Sequence, residues 1–60
     1  AVERIIRNAG AERVSEEAVE ELREAIVDLG EEIASDSADY ADYANRNTVT
    51  EEDIEMAVNH

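Results

Sequence analysis

The side chains of this 60-residue sequence that could act on another molecule are its charged ones, and they are sorted along the chain. All five basic residues are arginine. Residues 1–14 carry Arg4, Arg7 and Arg13 against Glu3 and Glu12, a balance of +1. Residues 15–44 carry Arg23 against eleven acids, a balance of −10. Residues 45–60 carry Arg46 against Glu51, Glu52, Asp53 and Glu55, a balance of −3, so the whole chain stands at −12. Covalent chemistry has little to work with. His60 is the sole histidine and the last residue, where fraying is expected. There is no cysteine, which excludes disulfides and thiolate metal sites. No glycine-rich phosphate loop, EF-hand loop or nucleophile–base–acid set is present. Acid pairs such as Glu16–Glu17 and Glu31–Glu32 read as solvated faces that hold cations weakly at most. The sequence therefore predicts no enzyme, no cofactor and no ordered metal site.

Two readings of the acidity compete. A strongly acidic chain can be disordered, but the apolar residues here recur too regularly for that. The other reading is adaptation to molar salt, where surface acids keep a protein hydrated and repulsion is screened to about 3 Å. The pattern favours the second.

The element that must position these charges is a single helix over Ser15–Ala44. Ala18, Leu22, Ile26, Leu29, Ile33, Ser37, Ala41 and Ala44 follow one another at steps of three and four, the period of one helix face. Ser15 is a good N-cap, and Glu16 and Glu17 favour the positive end of the helix dipole. Residues 1–9 make a short amphipathic helix, with Val2, Ile5, Ile6 and Ala9 inward and Arg4 and Arg7 on its flank. Gly10 suits its left-handed end. A connector follows, with a β-like Arg13–Val14. Asn45-Arg46-Asn47 ends the long helix in a turn, and Thr48–Val49 is a second β-like pair. Thr50 to Asp53 resembles a capping box for a third helix ending near Asn59. The expected fold is all-α, a single domain over residues 1–60.

So small a domain usually needs a disulfide, a metal or oligomerisation. With no cysteine, a second copy or another chain must cover the long apolar face. No apolar run approaches the ~20 residues of a membrane span, and no charged-then-apolar leader is seen. These features predict a cytoplasmic protein, and the opening alanine predicts a trimmed or processed N-terminus.

The residues themselves resemble the archaeal histones. The segments are RII at Arg4–Ile6, AGAERVS at Ala9–Ser15, IAS at Ile33–Ser35, and the EDIE that opens at Glu52 and runs on to Val58. The resemblance covers nearly the whole chain. It implies the histone fold, in which two chains cross their long helices in a head-to-tail handshake. It implies a homodimer that binds and bends double-stranded DNA with little sequence specificity on the chromosome, with tetramers or longer stacks at high salt. By resemblance, Arg13 inserts into the minor groove, with Thr48 of the partner's loop beside it, and Arg4, Arg7 and Arg46 lie on the DNA side. Arg46 and Asp53 match a structural salt bridge. Tyr40, Tyr43, Asp53 and Met56 match the region where dimers meet.

The departures from the family are also specific. Asn47 and Thr50 stand where lysine is common, and Glu31 and Asp39 where basic residues are common. Every missing phosphate contact weakens DNA binding. Tyr43 replaces a frequent histidine, which puts a conventional dimer–dimer contact in doubt. Glu24 and Glu55 are both acidic where opposite charges often bridge stacked dimers, which disfavours stacking at low salt. A second function class stays open: an acidic histone-fold interaction module that heterodimerises or binds a basic partner.

Overall fold

The computed structural model describes residues 1–59; His60, expected to fray, lies outside them. Three helices follow one another: α1 (Val2–Asn8), α2 (Glu16–Tyr43) and α3 (Glu51–Asn59). Helices α1 and α3 each pack on α2 and not on each other. The β-like pairs Arg13–Val14 and Thr48–Val49 form no strand among the described residues, since neither has a pairing partner within the chain. Among the described residues no helix is long and apolar enough to cross a membrane.

The helix ends are set by local chemistry. Ser15 sits extended at φ −78° and ψ 156°, and its hydroxyl accepts from the Ala18 N–H at 3.0 Å. That satisfies one of the free donors of the first turn. Helix α1 has no such side-chain cap and ends at Gly10, whose φ of 112° suits a residue without a Cβ. Helix α2 ends on Asn45 at φ 61°. There the Asn45 N–H donates to Asp42 O and the Arg46 N–H reaches back to Ala41 O, both at 2.9 Å. This is a Schellman closure with asparagine in the left-handed position.

The chain has almost no core of its own. Among the described residues the one buried apolar residue is Ala41, accompanied by the buried polar residues Ser37 and Asp53. Ile5, Ile26, Val27, Leu29, Val49, Ile54, Met56 and Val58 all stand between 40% and 59% exposed. The radius of gyration is 15.2 Å, against about 10 Å for a compact chain of this length. The accessible surface is 5113 Å², about 1,200 Å² more than the ~3,900 Å² of a compact monomer of the same mass. That excess is larger than the ~800 Å² per partner of an ordinary stable interface.

Candidate nucleic-acid interface

The arginines fall into two groups. Arg4 and Arg7 project from α1, and Arg13 lies in the connector before α2; all three are exposed. Arg7 is tied to its own helix: its Nε donates to Glu3 Oε2 at 2.8 Å, and one terminal nitrogen reaches Glu12 O at 3.5 Å. Arg4 and Arg13 make no ion pair or side-chain hydrogen bond among the described residues. Arg23, the one cation on α2, lies 3.5 Å from Glu20 on the same helix.

Arg46 is held at the other end of α2. Its two terminal nitrogens donate to the two carboxylate oxygens of Asp53 at 2.8 and 2.9 Å, and one of them also donates to Thr48 O at 3.0 Å. Asp53 is only 1% exposed. Its carboxylate also accepts from the Thr50 N–H at 2.9 Å and the Thr50 hydroxyl at 3.1 Å, while the Asp53 N–H faces the Thr50 oxygen at 3.4 Å. The exchange is a capping box in which aspartate does the work of glutamate. The Arg46 hydrogen bonds, and then the Thr50 N–H, hold the Asp53 carboxyl well below the usual carboxylate range. The same pair raises the Arg46 guanidinium. Ser37 completes this end. Its buried hydroxyl donates to Ile33 O at 2.7 Å and lies 3.4 Å from Asp53 O, linking α2 to α3.

The structure thus gathers Arg46, Thr48 and Asp53 at one loop and leaves Arg4, Arg7 and Arg13 at the far end of α2. The 28 residues of that helix put about 42 Å between the two loops. Within one chain Arg13 and Thr48 cannot meet. Among the residues expected at a dimer–dimer contact, Tyr43 is 92% exposed, Met56 48% exposed and Tyr40 half-buried. Asp53 offers no surface there, because its carboxylate is taken up inside the chain. The role of Ser37 was not readable from its position in the small-residue stripe. Its one sequence signal is a hydroxyl at a core position, four residues after Ile33 and four before Ala41.

A family model described as histone-like transcription factor (CBF/NF-Y) and archaeal histone matches residues 1–58. The chain belongs to that family. Its short, long and short helices are the helices of the histone fold, all-α, and are consistent with the family's handshake dimer. Among its relatives, the archaeal histone HAN1 of Thermococcus zilligii is 42% identical over 57 residues, covering 95% of this chain and 85% of the relative. "Probable archaeal histone 3" of Methanocaldococcus jannaschii is 46% identical over 55 residues, covering 92% and 82%. An antiparallel crossing of two histone-fold chains brings the first loop of one beside the second loop of the other.

Proposed function

We propose that this chain, as one histone-fold domain, is an architectural DNA-binding protein and not an enzyme. It acts as a head-to-tail homodimer that binds and bends duplex DNA with little sequence specificity, as part of the chromosome. The observation that carries the reading is the exposed Arg13, unpaired among the described residues and placed in the loop before the capped N-terminus of α2 in a chain of the histone family. A guanidinium free of carboxylates can enter a narrowed minor groove, which attracts arginine without a base code. Arg4 is the second free cation. Arg7 joins once its exposed pair with Glu3 opens, and such pairs hold by only about 0.2–1 kcal/mol. Arg46 and Thr48 frame the DNA side from the second loop, with Arg46 acting mainly as a strut.

The acidity sets the working conditions. A dimer carries twice −12, or −24, toward a polyanion. With a Debye length of about 30 Å at 0.01 M and 3 Å at 1 M, repulsion dominates in dilute buffer. Added salt removes that long-range term first, while close arginine–phosphate contacts are screened less. The protein is therefore read as adapted to high salt, where Tyr40, Tyr43 and Met56 allow dimers to associate into tetramers or longer stacks.

A titration of duplex DNA from low to molar KCl, following anisotropy and circular dichroism together, tests this. The affinity is expected to rise with KCl and then fall by counterion release. A monotonic fall from the lowest salt at which the protein is folded would remove the repulsion argument. No binding at any salt would leave the acidic interaction module as the function.

A further inference from the structure

We propose that Gly30 is the point at which the central helices of two copies of this chain cross in close contact. The inference rests on the dimer reading above and names the residue at the crossing. Helix α2 runs from Glu16 to Tyr43, so its midpoint falls between Leu29 and Gly30. Glycine is the poorest helix former after proline, and nothing within the chain accounts for one here. Gly30 does not take the left-handed backbone that Gly10 does, and a methyl group built on it would touch nothing.

The surroundings say what the glycine faces. Val19, half-buried, and Ser37, buried, are 18 residues apart, five whole turns, and so share one line along α2. Gly30 lies about 20° from that line, between the part of α2 that α3 covers and the N-terminal part. Its neighbours Ile26, Val27 and Leu29 are 42%, 49% and 57% exposed. The middle of the helix is thus an uncovered apolar saddle with a gap at its centre.

A two-fold interface is self-complementary, so the residue on the axis meets its own counterpart. Two equal helices crossing at their midpoints place Gly30 against its counterpart. Helix axes pack 8–10 Å apart according to the side chains at the contact. Glycine permits the short end of that range and lets the flanking isoleucines and leucines reach the other helix. The occupant is a second copy because the ~1,200 Å² of excess surface matches one side of a stable dimer.

The test compares Gly30→Ala and Gly30→Leu with Ser35→Ala, a control about 140° around the same helix. All are measured in molar KCl by sedimentation and by unfolding at several protein concentrations. Close approach predicts a graded loss: Gly30→Leu weakens the dimer by about tenfold or more through overpacking, Gly30→Ala weakens it less, and Ser35→Ala leaves it unchanged or tighter. If the leucine variant does not fold, the alanine variant decides. Alanine and leucine are both better helix formers than glycine, so an open site predicts the opposite sign. Tighter or unchanged association in Gly30→Ala, with the native chain dimeric, overturns the Gly30 proposal and leaves the dimer reading standing. A native chain that is monomeric at every concentration overturns both.

Discussion

The two ends of the central helix are built differently. At its C-terminal end a Schellman closure on Asn45, the bidentate Arg46–Asp53 pair, the Thr50–Asp53 exchange and the Ser37 hydroxyl lock α2, the second loop and α3 together. At its N-terminal end α1 has no side-chain cap, no buried residue and one exposed ion pair, with Ile5 52% exposed. The locked end uses its arginine internally. The loose end leaves Arg4 and Arg13 without an ion pair or side-chain hydrogen bond among the described residues. In the proposed dimer each loose end lies beside the locked end of the other copy, so a rigid loop supports a free arginine that its own chain does not hold. On the proposed reading, rigidity and recognition are divided between chains.

The sharpest way to break this contrast is Asp53→Ala. It leaves Arg46 without its counter-charge, uncaps α3 and cuts the Thr50 exchange in one step. We expect the largest fall in unfolding midpoint of any substitution considered, with loss of DNA binding as a consequence. Chemical denaturation in molar KCl reads the first and anisotropy the second. A midpoint within error of the native protein would mean that the lock does not hold α3. The lock also has a pH signature. Because the folded Asp53 carboxyl lies below the ordinary value of about 3.9, its contribution is complete above that value. It is lost as pH falls through the lower folded-state value. Native protein should lose stability through that acid range, and Asp53→Asn should lose less of what it has.

Arg13→Ala tests the other end. Removing an exposed loop arginine with no partner among the described residues should leave the midpoint unchanged and weaken DNA binding at every salt. Each phosphate no longer neutralised lowers the salt slope by about 0.9. A symmetric dimer gives up two such phosphates, so the slope should flatten by about 2. An unchanged slope with unchanged affinity would remove Arg13 from the interface.

This division was partly legible in the sequence. Ser15, Gly10, Asn45 and Thr50 mark helix ends because their side chains or backbones satisfy terminal groups, and local chemistry of that kind is written in local sequence. Helix α2 runs between the expected caps, Glu16–Tyr43, for that reason. The salt bridge between Arg46 and Asp53 was legible only through family resemblance, since six residues of loop and helix lie between them. The Ser37 link to Asp53 spans sixteen residues and depends on how α3 folds back, so it waited for the structure. The engagement of Arg7 by Glu3 was in principle readable, because glutamate four residues before arginine on a helix is a favourable pair. Removing Ser37's hydroxyl cuts the long-range link together with its bond to Ile33 O. Ser37→Ala should lower stability by about 0.5–1.5 kcal/mol, the usual net value of a hydrogen bond, well short of Asp53→Ala.

The smallest expected effect comes from freeing a cation at the loose end. Glu3 and Arg7 face each other at 2.8 Å with side chains 54% and 53% exposed. An exposed pair of this kind is worth about 0.2–1 kcal/mol, so the chain loses little when it breaks. Glu3→Gln keeps the side-chain length, removes one acid from the proposed DNA side of each copy and frees the Arg7 guanidinium for phosphate. Stability should change by less than about 1 kcal/mol, and DNA affinity should rise by no more than about fivefold per copy, the same free energy expressed as a binding ratio. The gain should be greatest at low salt, where the removed charge repels the phosphates over the longest distance. Arg7→Ala made in the Glu3→Gln background should cancel it. If Glu3→Gln leaves affinity unchanged from low to molar KCl, Arg7 is a brace for α1 rather than a DNA contact. The loose end would then meet DNA through Arg4 and Arg13 alone.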